Sequence, residues 1–298
     1  MLVIDPKSTP VKDLHQFMVG SIAPRPIAFV STIDEDGNPN LAPYSFFNAF
    51  SSNPPVVIFS SNRRVKDNTT KDTLSNVLAT REVVINVVNH AIVRQMAIAS
   101  GRFEKGVSEF EKAGLTPIPS DLVKPFRVKE SPVQMECKVD EVITLGEQGG
   151  AGHLVVCHVQ RIHIDESVVD ENNRINPHKL DLMGRLGRAY YVRASGAAIY
   201  TIPQSEEDVP IGFDQLPEKI KFSTVLTGNE VGLLAGLVEV PSKEQAMQIA
   251  QTDERVKAIL AGSRSLEELH AYVAELLEDE GKQDYAGSVA WVGEFLEL

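Results

Sequence analysis

The chain has 298 residues, 43% of them hydrophobic and 23% charged, with a formal net charge of −12. Such a chain can bury a sizeable core unaided, and its acidic excess argues against nucleic acid as a partner. The two cysteines, Cys137 and Cys157, give no disulfide framework. No apolar run is long enough for a bilayer, and MLVIDPKSTPVKDLHQF lacks the pattern of a signal peptide, so no membrane partner and a cytoplasmic location are expected.

In chain order, PIAFVSTI (Pro26–Ile33) is apolar and β-branched and reads as a strand, with turn chemistry in DEDGNPN (Asp34–Asn40). NLAPYSFFNAFSSNPP (Asn40–Pro55) follows as its expected hairpin partner. It interleaves aromatic, hydroxyl and amide side chains, the composition of a surface that could lie against a flat, polar-edged ring. VVIFSS (Val56–Ser61) is another strand. After the polar loop NRRVKDNTTKD (Asn62–Asp72), TLSNVLAT (Thr73–Thr80) has helical spacing, with Asp72 suited to its N-cap. EVVINVV (Glu82–Val88) reads as a buried strand and HAIVRQMAIAS (His90–Ser100) as an amphipathic helix. SPVQMECKVDEVITLG (Ser131–Gly146) and GHLVVCHVQRIHID (Gly152–Asp165) form a strand pair across the turn EQGGAG (Glu147–Gly152). Strands at this spacing with inserted helices predict a mainly β (α+β) fold, a closed or half-closed barrel; a doubly wound sheet would need stricter strand–helix alternation.

From Lys243 the period becomes helical: Lys243–Gly262, Ser265–Gly281, where Ser265 and Glu268 suggest a capping box, and Asp284–Leu298. Residues 204–298 hold 19 acids and 7 bases, whereas the first 203 residues hold 22 of each, so the whole imbalance sits at the C-terminal end. This shift predicts two domains, 1–203 and an acidic, mainly helical extension, 204–298. The apolar positions Tyr272, Val273, Leu276, Leu277, Trp291, Phe295 and Leu296 repeat at helical spacing and are expected to be core.

No GxGxxG follows a strand, and neither GxxxxGK[ST] nor GxSxG occurs, which disfavours a Rossmann site, a P-loop and a hydrolase elbow. His153, Cys157, His158 and His163 are close in sequence. On a strand, however, His153 and Cys157 would stand roughly 13 Å apart at ~3.3 Å per residue, and Cys157 and His158 would face opposite ways, so no metal is expected. The segment Ser60–Asn76 is more suggestive. Hydroxyls, then Arg63, Arg64, Lys66 and Lys71, then a helix opening at Thr73 could cradle a phosphate; a solvated basic loop before a capped helix is the alternative.

Together, SIAPRPIAFVST (Ser21–Thr32), NLAPYSFFNAFSSNPP, KDTLSN (Lys71–Asn76) and RLGRAYY (Arg185–Tyr191) resemble the flavin reductase-like, FMN-binding split-barrel family, over about Met1–Ile202. That family includes flavoredoxin and the small reductase components of two-component flavin monooxygenases. The resemblance implies a homodimeric split barrel with FMN, ahead of FAD, near the dimer interface. It assigns Ala42, Pro43, Ser45 and Asn48 to the edge of the flavin ring and Phe46 and Phe47 to packing beneath or beside it. Ser60, Ser61, Lys71 and Thr73 would hold the phosphate, with Asn76 nearby, and Arg25 would approach the ring or its ribityl chain. His153 stands where a histidine can flank the nicotinamide side, and Arg188 and Tyr190 would complete the pocket or a dimer contact. The implied activity is hydride transfer from a transient NAD(P)H to flavin, possible partners being an oxygenase or another redox protein. An electron carrier without nicotinamide activity and a non-enzymatic flavin-binding module are the alternatives.

Overall fold

The structure, a computed structural model, describes residues 1–104, 106–202 and 208–298. It has two compact units, Met1–Thr201 and Ile202–Leu298. The domain boundary expected between Pro203 and Gln204 lies outside the described residues.

The first unit is α+β. It begins with helix α1 (Val11–Ser21). Strands β1 (Ala28–Ile33), β2 (Pro39–Tyr44), β3 (Phe47–Ser52) and β4 (Pro55–Ser60) follow, then α2 (Asp72–Thr80), β5 (Glu82–Val87), α3 (Val93–Ala99) and α4 (Glu109–Ala113). Two short strands, β6 (Pro117–Ile118) and β7 (Arg127–Val128), pair with each other. The long strands β8 (Val133–Thr144) and β9 (His153–Ile164) come next, and α5 (Pro177–Leu180), β10 (Leu182–Arg185) and β11 (Tyr191–Ala194) close the unit.

Seven strands form one antiparallel sheet in the order β2-β1-β5-β8-β9-β4-β3. Among the described residues its hydrogen bonding forms no closed barrel. Every residue of β1 is buried, because Ala28 and Val30 join the core with Phe59, Ile85 and Cys157 while Phe29 packs on the other face with Leu41, Met96 and Phe110. A strand covered on both faces reads as a continuous apolar run, which is how PIAFVSTI looks. The turn between β1 and β2 is fixed by Asp34, whose Oδ1 accepts from the N–H groups of Asp36 and Asn38.

Asn40–Pro55 does not form one hairpin partner. Its first part, in β2, pairs with β1; its second, in β3, pairs with β4 at the opposite edge of the sheet. Two residues, Ser45 and Phe46, carry the chain from one edge to the other. Asp72 is the first residue of α2, and the cap position is Lys71, which makes no side-chain capping bond.

The second unit comprises α6 (Glu218–Lys221), α7 (Gly228–Ala235), α8 (Lys243–Thr252), α9 (Glu254–Ala261), α10 (Leu266–Leu277) and α11 (Gln283–Phe295) around a core that includes Leu234, Val256, Leu269, Val273 and Trp291. The single helix expected over Lys243–Gly262 is two. Asp253 separates them: its carboxylate accepts from Arg255 N and Val256 N to cap α9 and takes the hydroxyls of Tyr272 and Tyr285 on its other oxygen. Ser265 caps α10 by accepting from Glu268 N. Among the described residues no helix is long and apolar enough to cross a membrane.

Candidate functional site

A cavity of about 440 Å³ opens in the first unit. Four pieces of chain wall it: one face of α1, the β2–β3 link, the end of β4 with the start of α2, and the segment Arg185–Arg188. The β2–β3 link supplies Ser45 and Phe46, and the Ser60 N–H donates to the Phe46 carbonyl at 2.8 Å. That bond ties the chain reversal to β4.

At one end stand Ser60, Asn62, Lys71 and Tyr44. Ser60 Oγ donates to Asn62 Oδ1 at 2.8 Å. Gly152 lies so close that a Cβ there would fall 2.7 Å from Ser60 Oγ. The Lys71 ammonium sits 4.5 Å from the centre of the Tyr44 ring. Burial, then Arg64, pulls the Lys71 pKa below its ordinary value, and burial raises that of Tyr44. The buried Tyr44 hydroxyl has the side chains of Thr73 and Ser61 beside it. The uncapped N-terminus of α2 adds free N–H groups and the positive end of the helix dipole. An ammonium, a serine hydroxyl and a helix N-terminus together suit a phosphate.

At the other end stand Arg25, Arg185, Leu186 and Arg188. Arg25 pairs with Arg185 through both backbone groups. Its buried guanidinium is spent on the protein. It donates to the carbonyls of Val19 (2.5 Å), Ile22 (2.7 Å) and Leu186 (2.9 Å), and at 3.4 Å to Ser45 Oγ. It clamps the last turn of α1 to the 185–188 segment and the β2–β3 link. Burial, then Arg185, lowers its pKa.

The cavity thus gathers Arg25, Pro43, Ser45, Phe46, Ser60, Lys71 and Arg188 from the expected site residues. The others lie outside its lining. Ala42 and Phe47 pack on the sheet core, Phe47 because strand alternation turns it away from Phe46. Asn48 is exposed and accepts from Ala49 N. Thr73 Oγ1 accepts from Asn40, and Asn76 donates to Thr32 Oγ1. Ser61 is buried beside Ser60, and Tyr190 is exposed. His153 is buried with Nδ1 3.0 Å from Thr144 Oγ1; burial, then Arg63, lowers its pKa and favours the neutral ring.

Sequence reasoning missed the α1 residues Lys12, His15, Gln16 and Val19, and also Tyr44, Asn62, Arg185 and Leu186. The spacing of Val11, Leu14 and Met18 was the available helix signal. Asp121, Glu136 and His163 also converge, within 4.8 Å. Glu136 is saturated by Asp121 N, Leu122 N and His163 Nε2, and Asp121 by Arg161, so the group is a structural ion-pair network.

An antiparallel sheet whose two edge strands are joined by the short Ser45–Phe46 link, with a cation-lined cavity against that link, is a split-barrel architecture. Residues 19–183 match the flavin reductase like domain, and the chain belongs to that family. It is 42% identical over 190 residues to an uncharacterized protein of Aquifex aeolicus (strain VF5), covering 64% of this chain and 94% of that one. It is similar to nitrilotriacetate monooxygenase component B from Bacillus cereus, with 34% identity, a TM-score of 0.61, and coverage of 65% of this chain and 95% of that chain. In fold it is similar to a split-barrel-domain protein from Shewanella frigidimarina NCIMB 400, with 23% identity, a TM-score of 0.59, and coverage of 69% and 100%.

Proposed function

We propose that the protein is an FMN-binding NAD(P)H:flavin oxidoreductase. The observation that carries this reading is the cavity lining: five cationic side chains, the aromatic face of Phe46 and no carboxylate, in a chain with a net charge of −12. Lys71, Ser60, Asn62 and the α2 N-terminus would hold the phosphate of FMN. Phe46 and Pro43 offer apolar surface to its ring, and Ser45 offers a hydroxyl to the ring's polar edge. When bound, FMN supplies a two-electron acceptor for the hydride of a dihydronicotinamide. The remaining work of the chain is placement. The β2–β3 link is held by Ser60 N–H, α1 covers one side, and Arg185 would offer positive charge to the negative charge that reduction adds. No general acid or base is required, which fits a lining whose titratable groups are cations, one histidine and one tyrosine.

The likeness to a monooxygenase component supports an oxygenase as the consumer of reduced flavin. Phe50, 63% exposed on edge strand β3, supports a homodimer, and the absence of long apolar helices among the described residues is compatible with the cytoplasm. The decisive experiment is the visible spectrum of the purified protein, followed by anaerobic NADH and then NADPH. A flavin spectrum bleached by either is the expected result. A bound flavin that neither bleaches would replace this reading with an electron carrier, and a protein that takes up no FMN would overturn both.

A further inference from the structure

The cavity has more positive charge than one flavin phosphate uses, and that charge lies at two ends. Helix α1 spans them. Its first residue, Val11, lies against the turn at Gly150, whose Cβ would fall 3.2 Å from Val11 Cγ1. That turn is tied to Asn62, which donates to the Gly150 carbonyl at 3.2 Å. Near its last residue, Gly20 lies against Gly187, whose Cβ would fall 3.3 Å from Gly20 Cα. Nine residue steps from Val11 to Gly20, at ~1.5 Å each, separate the two ends by roughly 14 Å. The Asn62–Lys71 end is the phosphate end argued above; Gly187 belongs to the other.

The cations at that second end differ in how they are committed. Arg25 is consumed by three carbonyls and Ser45. Arg185 donates to the Tyr190 carbonyl at 3.1 Å and stacks on the Tyr191 ring at 4.6 Å. Arg188 also lines the cavity, has no ion-pair or hydrogen-bond partner among the described residues, and sits at φ +52°. A left-handed backbone at a non-glycine residue is costly and is often kept where it aims a functional group. No carboxylate lines the cavity to neutralise it.

We propose that Arg188 is a specificity residue that receives the diphosphate of the dinucleotide hydride donor. This rests on the reading that FMN fills the Lys71 end. It explains how a chain with no dinucleotide-binding fold could select a dinucleotide: the ring stacks on the flavin and one guanidinium at the mouth of the cavity holds the phosphates, bidentately and reversibly.

The test uses the full-length protein with FMN bound and the variant Arg188→Ala, beside Arg188→Lys. Binding of ADP-ribose, which carries the diphosphate but no nicotinamide, is measured by titration calorimetry. KM and kcat are measured with NADH, with NADPH and with 1-benzyl-1,4-dihydronicotinamide, a donor without phosphate. Arg188→Ala is expected to weaken ADP-ribose and raise the dinucleotide KM about tenfold, with kcat and the FMN dissociation constant unchanged, the loss shrinking in high salt. The benzyl donor is expected to react equally well with both proteins, and Arg188→Lys to recover part of the affinity. An unchanged dinucleotide KM would overturn the proposal. An equal loss with the benzyl donor would make Arg188 a part of the flavin site instead, and a loss accompanied by a change in oligomeric mass would make it an interface residue; either overturns it. A wild-type protein that binds no FMN would bring down the flavin reading itself, a result distinct from all of these.

Discussion

Arg25 and Leu186 lie 161 positions apart in sequence, yet the Arg25 guanidinium donates to the Leu186 carbonyl at 2.9 Å while also capping the last turn of α1 at Val19 and Ile22. One buried cation therefore sets the positions of three cavity walls. It meets the negative end of the α1 dipole with a charge, the favourable sense for a helix C-terminus.

Arg25→Ala should accordingly harm both fold and site. It leaves the carbonyls of Val19, Ile22 and Leu186 without their donor, at a cost of about 2 kcal/mol or more in unfolding free energy. Arg25→Lys keeps the charge but cannot fork between carbonyls on two segments, so it should recover only part of the loss. Urea unfolding and FMN titration read the two effects. Wild-type stability in Arg25→Ala would show that α1 does not depend on the clamp.

Lys71 gives a prediction in pH. Its pKa in the free protein is lowered, first by burial and then by Arg64. A lysine with a depressed folded pKa binds fewer protons than in the unfolded chain over the window below its ordinary 10.5, so without ligand its charge opposes folding there and that penalty fades as pH rises. A bound phosphate reverses the preference by pairing with the ammonium. FMN affinity should therefore be highest at neutral pH and fall as pH rises through the lowered pKa. Lys71→Ala should bind about tenfold more weakly at neutral pH, with a flatter alkaline profile. Dissociation constants by flavin fluorescence across the alkaline range check it; parallel profiles for the two proteins would remove Lys71 from the phosphate site.

Much of this site was legible because its chemistry sits in contiguous motifs. Ser45, Phe46 and Ser60 fall in or beside strand ends whose periodicity marks them, and Lys71 stands just before the helical spacing of α2, in a basic loop that the sequence leaves open between a phosphate cradle and a solvated loop. Contributions fixed by tertiary geometry were not legible. Phe46 and Phe47 look equivalent in sequence, and only the register of β3 on β4 sends one to the cavity and the other to the core. Arg25 sits in a recognisable motif, but its donors are claimed by carbonyls whose arrangement depends on α1 packing. Helix α1 itself was missed although Val11, Leu14 and Met18 repeat at helical spacing; it buries just one residue, Val19, fully. The acidic helices read well by period, yet Asp253 split one of them by offering its carboxylate as a cap.

Glu136 predicts an acid limb of stability. Burial alone would raise its pKa, but the N–H groups of Asp121 and Leu122 and the His163 ring outweigh that and leave it lowered. A carboxylate with a depressed folded pKa contributes stability that is fully present above its unfolded value and is lost as pH falls through the folded one. The ordinary value is 4.5, so the loss should begin near there and deepen in stronger acid. Glu136→Gln should lower stability at neutral pH by about 2 kcal/mol or more, because the amide replaces an acceptor oxygen with a donor facing donors. It should also flatten the acid limb. Thermal melts at neutral and acidic pH give the comparison, and equal pH slopes would assign the acid sensitivity elsewhere.

The second unit gives the last prediction. Its core, from Ile211 to Val292, contains no residue of the first unit, and every cavity-lining residue lies between Lys12 and Arg188. The Aquifex relative matches 190 residues of this chain over 94% of its own length, so a relative of that size does without the extension. The fragment Met1–Ile202 should therefore fold and bind FMN within a factor of about two of the full chain, since every lining residue belongs to it. Removing residues 204–298 also removes the whole formal charge of −12, leaving a neutral fragment. The fragment should precipitate more readily near neutral pH and bind more weakly to an anion exchanger, with no change in its flavin spectrum. Gel filtration, FMN titration and the elution salt concentration measure these separately. A fragment that is soluble and folded but has lost FMN affinity would show that the acidic helices take part in the flavin site.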